Sequence, residues 1–195
     1  MSTDSDLEEF TEQIADQVES FLLSLQAIAS AEDAGRAVSL LLLEVSQVLL
    51  AGARLGVQAD FTPVEEFQPD AGPDPDLDEL RLRLARMFAH VDVYNEVFDP
   101  YGEPEVVQSV ISDDLASVAA ALAHGLRHLR AGRVQEALWW WQFSYVSSWG
   151  NEASGVLRAL QSIVTHDRLD RDFEADQEQL VAADEMLERS APSAR

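Results

Sequence analysis

Apolar residues recur along this chain at intervals of three and four, the spacing that puts side chains on one face of a helix. The first such stretch is Leu7, Phe10, Ile14, Val18, Phe21, Leu25 and Ile28, with acids between. It predicts a helix packed on the body by one face, opened by a Ser5–Glu8 capping box. A second helix is predicted from Glu32 and Asp33 to about Leu55, with Gly56 as its stop. Here Leu40 to Leu43, Val45, Val48, Leu49 and Leu50 cover most of the circumference, which predicts a central helix. Asp76 and Glu79 cap a third, with Leu77, Leu80, Leu84, Met87, Phe88 and Val91 turned inward. A fourth has Pro104 in its first turn, with Ile111, Leu115, Val118, Leu122, Leu126 and Leu129 as its buried stripe. Asp113, Ser117, His124 and His128 share its opposite side. Gly132 ends it, and so short a link predicts that the next helix runs back antiparallel beside it.

That next helix, Val134 to His166, contains no proline and all four tryptophans. Leu138, Trp141, Tyr145, Trp149, Val156 and Ile163 fall together on its wheel. Trp139, Phe143, Val146, Ala153, Leu157, Leu160 and Val164 adjoin them. The apolar arc of roughly 200° is wider than the stripe of a surface helix, so the rod is predicted to be wrapped on two or three sides. Trp140 lies opposite, with Ser144, Ser147, Asn151 and Arg158. An indole there needs cover from a neighbouring segment, or it marks a partner surface. Glu152 sits at the edge of the arc and is expected to reach solvent there.

Between the periodic stretches the pattern breaks twice. Residues 57–76 hold Pro63, Pro69, Pro73, Pro75 and Gly72, with eight acids and no base from Asp60 to Glu79. They predict a solvated acidic loop. The segment from Asp92 to Pro104 mixes Tyr94, Phe98 and Tyr101 with acids and predicts an aromatic-rich irregular connection. Residues 170–189 show weak helical spacing, read as a helix docked along the body over Trp140, and 190–195 read as a frayed tail. The predicted fold class is therefore all-α: a single-domain helical bundle of five or six helices, largely antiparallel, over residues 1–189. The second and fifth helices are expected at its centre.

Charge narrows the functional classes. The chain carries -23 at pH 7, with 36 acids against 13 bases, and every base is arginine. Such a surface repels nucleic acid and anionic membrane. The clusters Arg81–Arg83–Arg86 and Arg127–Arg130–Arg133 have three charges each, and the second set answers a helix dipole. No run is read as approaching the ~18 apolar residues of a membrane span. The acidic start MSTDSDLEEF does not read as a secretory signal, so the expected location is cytoplasmic. With no cysteine, disulfides and thiolate metal sites are excluded.

From about Val91 to Gln161 a set of residues recurs in consistent order. It comprises Tyr94 with Phe98-Asp99-Pro100, Asp113-Asp114-Leu115, Gly125-Leu126, Gly132, Ala137 with Trp139, and Trp149-Gly150 followed by Leu157-Arg158-Ala159-Leu160. In these the chain resembles DUF5063, an uncharacterised bacterial family known only as a domain of unknown function. The resemblance implies an all-helical fold and no particular activity. Where the family has histidines around the Trp-Gly pair, Ser148 and Glu152 stand here, which weakens any metal role for this member.

The chemistry-bearing residues form no complete set. His124 and His128, four apart, could share a metal, but two ligands do not complete a site. Two solvated histidines at a helix end is the expectation, with no metal and no cofactor. Asp114 is expected to accept a hydrogen bond from Tyr94 or to pair with Arg158. No phosphate loop, nucleophile elbow or Ser-His-Asp spacing occurs. These absences favour a non-catalytic interaction or adaptor protein, working through a protein partner or a homo-oligomer. The alternative is a small-molecule site, or an enzyme, lined by Asp92, Tyr94, Asp114, Trp149, Glu152 and Arg158.

Overall fold

The computed structural model describes residues 2–31, 34–64, 71–73, 75–97 and 101–169. Five helices and one hairpin follow in chain order. They are α1 (Ser2–Ile28), α2 (Ala34–Gly56), α3 (Asp78–Phe88), β1 (Val93–Val97), β2 (Val106–Val110), α4 (Ile111–Arg130) and α5, which begins as Val134–Ser144. A wide π turn, Tyr145–Trp149, carries α5 on into helical residues 150–169. The expected all-helical bundle is thus present, with a small two-stranded sheet added. Glu32, Asp33, Phe98, Asp99, Pro100 and the C-terminal segment 170–195 lie outside the described residues.

The buried stripes follow the periodicity. Ile14, Val18, Phe21 and Leu25 of α1 are in the core, and so are Ile111, Leu115, Val118, Leu122 and Leu126 of α4. Helix α1 starts at Ser2, so Ser5 lies inside its first turns and not at the predicted cap. At the start of α3 the N-cap position is Leu77, without a side-chain cap; of the predicted pair, Asp76 lies one residue earlier and accepts the Asp78 N–H at 3.1 Å.

The centre of the bundle is α4, which packs against α1, α3 and α5. This corrects the expectation for α2. Ala37, Leu41, Val45, Val48, Ala51 and Leu55 of that helix are buried, but Leu40, Leu43 and Leu50 are exposed. Leucine all round a helix shows that every face could be buried, not that a neighbour is present to bury it. The segment Gly35–Gly56 is also long and apolar enough to cross a membrane by length and composition alone, a test that the core helix of a soluble protein passes as well.

Segment 92–104 is corrected as well. Val93 to Val97 pair antiparallel with Val106 to Val110, register Val93↔Val110, Asn95↔Gln108 and Val97↔Val106. The β-branched residues and the two-residue alternation of burial explain it. Pro104 precedes this second strand, and α4 begins seven residues later than predicted, at Ile111.

The acidic loop is tied down over residues 57–64. Gln142, buried in α5, donates to the carbonyls of Leu55, Gln58 and Ala59 and accepts the Phe61 N–H at 2.9 Å. Glu136, also buried, accepts the Val64 N–H at 3.2 Å. Two polar residues on an apolar helix are therefore satisfied by loop backbone that would otherwise need water.

Within α5, Leu138, Trp141, Trp149, Val156 and Leu160 are fully buried, as predicted. Eight residues at 100° each advance 800°, which leaves Trp141 and Trp149 roughly 80° out of line on a regular helix. The π turn takes up the extra residue, and the Trp149 indole N–H reaches the Trp141 carbonyl at 3.3 Å. The same turn rotates the segment before it relative to the segment after it. Phe143 and Val146 are exposed, against the prediction, with Phe143 stacked on Trp139 at 5.2 Å. Trp140 is half-buried against α4: its indole N–H donates to the Ala121 carbonyl at 2.9 Å and its ring lies 4.1 Å from that of His124.

Candidate functional site

The inner face of the hairpin, the first turn of α4 and the far half of α5 meet in a polar patch. Alternation along β1 puts Tyr94 and Glu96 on one face, and the register sets Ser109 opposite Tyr94. The Tyr94 hydroxyl donates to Asp114 Oδ2 at 2.9 Å. Ser109 donates to Glu96 Oε1 at 2.7 Å, and Ser148 to Glu152 Oε1 at 3.2 Å. Glu152 Oε2 is buried with no hydrogen-bond partner, so the expected solvation at the helix edge is not what is found. Gly155 gives this patch its room, since a Cβ there would run into the Tyr94 hydroxyl.

Three carboxylates so close leave one reluctant to ionise. Burial pushes the Asp114 carboxyl up to about 6 from its ordinary 3.8. The charges of Glu152, Glu96 and Asp113 add to the rise, and the bond from Tyr94 opposes it. The Tyr94 phenol is raised too, first by burial and then by the charge of Asp114 and the hydrogen bond to it. The pair therefore enters the neutral range with the phenol protonated and the carboxyl able to take up or release a proton near pH 6.

This predicts a pH dependence of stability. A carboxyl whose pKa is higher in the folded state binds an extra proton there between about pH 4 and about pH 6. Stability from Asp114 is therefore lost as pH rises through that window. Asp114→Asn should remove this slope and raise stability at pH 7 by roughly 1–2 kcal/mol, a figure reduced for partial contact with water. Urea midpoints at pH 4, 5, 6 and 7 check it; parallel curves for the two proteins would refute it.

The other three predicted site residues go elsewhere. Asp92 is buried and holds the start of α4: Oδ1 accepts the Ser112 N–H at 2.9 Å and Oδ2 the Ser112 hydroxyl at 2.7 Å. Trp149 is sealed in the core. Arg158 is exposed and takes no part in the hydrogen bonds of Asp114. The site thus keeps Tyr94, Asp114 and Glu152 and gains Glu96, Ser109 and Ser148. Strand periodicity in 93–97 and the hairpin register could have shown Glu96 and Ser109 beforehand, and the four-residue helical spacing from Glu152 could have shown Ser148.

The histidine pair is not the solvated one expected. His128 is fully buried and His124 half-buried, because α5 covers that side of α4. Arg127 donates to His124 Nδ1 at 2.8 Å, which puts the proton of the neutral ring on Nε2. His124 Nε2 then donates to His128 Nε2 across 3.2 Å, and His128 keeps its proton on the buried Nδ1. Burial pushes the His128 imidazole below its ordinary pKa; His124, Arg133 and Arg127 lower it further, against Glu136. Among the described residues, no group of three His, Cys, Asp or Glu side chains is placed to hold a metal ion.

A surface groove of about 480 Å³ lies away from the polar patch, between α1 and the start of α3. Leu23, Ala27, Leu77 and Leu80 line it, with Arg83 at its edge bonded to Ser30 at 2.9 Å.

Comparison with known proteins agrees with this architecture. The chain resembles the crystal structure of protein BF1032 from Bacteroides fragilis, with a TM-score of 0.63 and 18% identity, over 77% of this chain and 89% of that one. At that identity the likeness concerns the fold. No curated protein matches. The family model described as "Domain of unknown function (DUF5063)" matches residues 5–166, and the chain therefore belongs to the DUF5063 family.

Proposed function

We propose that this protein is a non-catalytic interaction or adaptor module of the cytoplasm. The observation that carries this reading is the outward face of α2. Leu40, Leu43 and Leu50 stand exposed there, at 41%, 51% and 58%, and the helix carries a single acid, the half-buried Glu44. Exposed leucines are ordinary singly, but aligned on one helix of so acidic a chain they suit a docking partner. The chemistry at the polar patch supports the same reading, since Tyr94, Asp114, Ser148 and Glu152 are engaged largely with one another. The test is retrieval of partners from native lysate with the tagged chain and with a Leu43→Glu form. Specific recovery with the first and loss with the second is expected. No recovered partner, together with strictly monomeric behaviour, would count against the proposal.

A second reading rests on the raised carboxyl of Asp114 beside Tyr94: a small-molecule site, suited by its three carboxylates to a cationic ligand. A thermal-shift screen with small amines and guanidinium compounds tests it. A shift that disappears in Asp114→Asn would support this reading over the first.

A further inference from the structure

The exposed face of α2 has a period. Ser39, Leu43, Ser46, Leu50 and Ala53 are all exposed, at steps of four, three, four and three, and Val57, in the turn just past the helix, is exposed one further step of four on. That is a seven-residue repeat with Leu43, Leu50 and Val57 at one seam position and Ser39, Ser46 and Ala53 at the other. The core-facing residues Leu41, Val45, Val48, Ala51 and Leu55 fall on the remaining positions, so the helix carries a second seam on its outer side. The two serines do not make this seam polar. Ser39 donates to the Gly35 carbonyl at 3.3 Å and Ser46 to the Leu42 carbonyl at 2.7 Å. Arg54, on the flank, is turned back over the Phe10 ring at 5.4 Å and donates to Gln13.

We propose that this seam pairs with the same seam of a second copy of the chain, the two α2 helices lying antiparallel about a two-fold axis near Val48. This deepens the interaction reading above and rests on it. In an antiparallel helix pair each large seam position meets the other kind of seam position on its partner. With the axis near residue 48, Leu43 meets Ala53 of the second copy, Leu50 meets Ser46, and Val57 meets Ser39. Every large side chain is received by a small one, and the arrangement is its own complement, as a two-fold interface requires. The flanking positions are compatible: Leu40 approaches Arg54 of the second copy, Gln47 approaches Gln47, and Leu49 approaches Leu49.

Charge permits this occupant only along a strip free of acids. Two chains of -23 repel each other, and the seam with these flanks is a strip that contains no acid. A basic partner would seek the acidic faces instead. The contact is narrow: a helix of 23 residues is about 35 Å long. One such strip lies at the low end of specific interfaces and predicts a weak, reversible pair.

Sedimentation equilibrium from about 5 to about 500 µM brackets such an affinity. The mass is expected to rise toward twice that of the monomer. Added salt should strengthen the association, because screening removes the repulsion between like-charged chains. Leu43→Glu and Leu50→Glu, both at exposed positions, should stay monomeric with unchanged melting temperature. The chain has no cysteine, so single introduced ones report the geometry. Gln47→Cys should be joined to itself by a short bis-maleimide and Ser39→Cys should not, since Ser39 lies far from its own counterpart. A monomer at every concentration, a dimer indifferent to Leu43→Glu, or equal linking at both cysteines would overturn the proposal. So would a monomer that binds phosphatidylcholine vesicles through Leu43, which gives the seam to a bilayer. A monomer that still retrieves a partner from lysate would sink this pairing and leave the interaction reading standing.

Discussion

Trp141→Ala is expected to lower the stability of the fold by roughly 3–5 kcal/mol. The indole has no exposed surface and lies where α4 and α5 meet. Its N–H donates to the Leu122 carbonyl at 3.0 Å, and the Trp141 carbonyl receives the Trp149 N–H. Truncation empties a large volume between two rigid rods. Helices so closely packed collapse poorly into such a cavity, which puts the cost in the upper part of the range for large-to-small changes. The measurement is the urea midpoint at constant m-value. Trp141→Phe should lose much less, because it keeps most of the volume. A loss below about 1 kcal/mol in the alanine form would show that the tryptophan is not the keystone of this contact.

Gly125→Ala should destabilise as well, by about 1–3 kcal/mol, and the sign is the informative part. In the middle of a helix alanine is normally the better residue by about 1 kcal/mol. Here a Cβ at position 125 would fall onto the Trp141 indole, so the helices must separate or the ring must leave its place. The two effects oppose each other and the clash wins, since the indole is enclosed and cannot rotate away. The same substitution in a Trp141→Leu background should cost less, because the smaller side chain vacates part of the space. A double-mutant cycle measures that coupling, and additive losses would refute the contact.

These two residues show what could and could not be foreseen. That Trp141 would be buried follows from its place in the apolar arc of α5. Nothing in the arc identifies Gly125 as its seat, because that fact belongs to two helices and the angle between them. The polar patch divides the same way. The bond between Tyr94 and Asp114 was among the sequence expectations, from residue types alone. Glu96 and Ser109 were missed because the five-residue alternation in 93–97 is short beside the helical signals around it. Once β1 is recognised, both residues follow from a period of two and the register of the pair.

The pattern of the chain decides local matters: where most of the helices run, which stripe of α1 or α4 is apolar, and that the chain carries a net charge of -23. These depend on near neighbours along one backbone, where a period of 3.6 is enough. Tertiary structure alone decides which apolar faces find cover. It places α4 and not α2 at the centre, buries His128 and exposes Leu43, and uses one wide turn to bring Trp149 into line with Trp141. The physical reason is that periodicity states how much of a helix could be buried, whereas burial itself needs a second element to arrive from elsewhere in the chain.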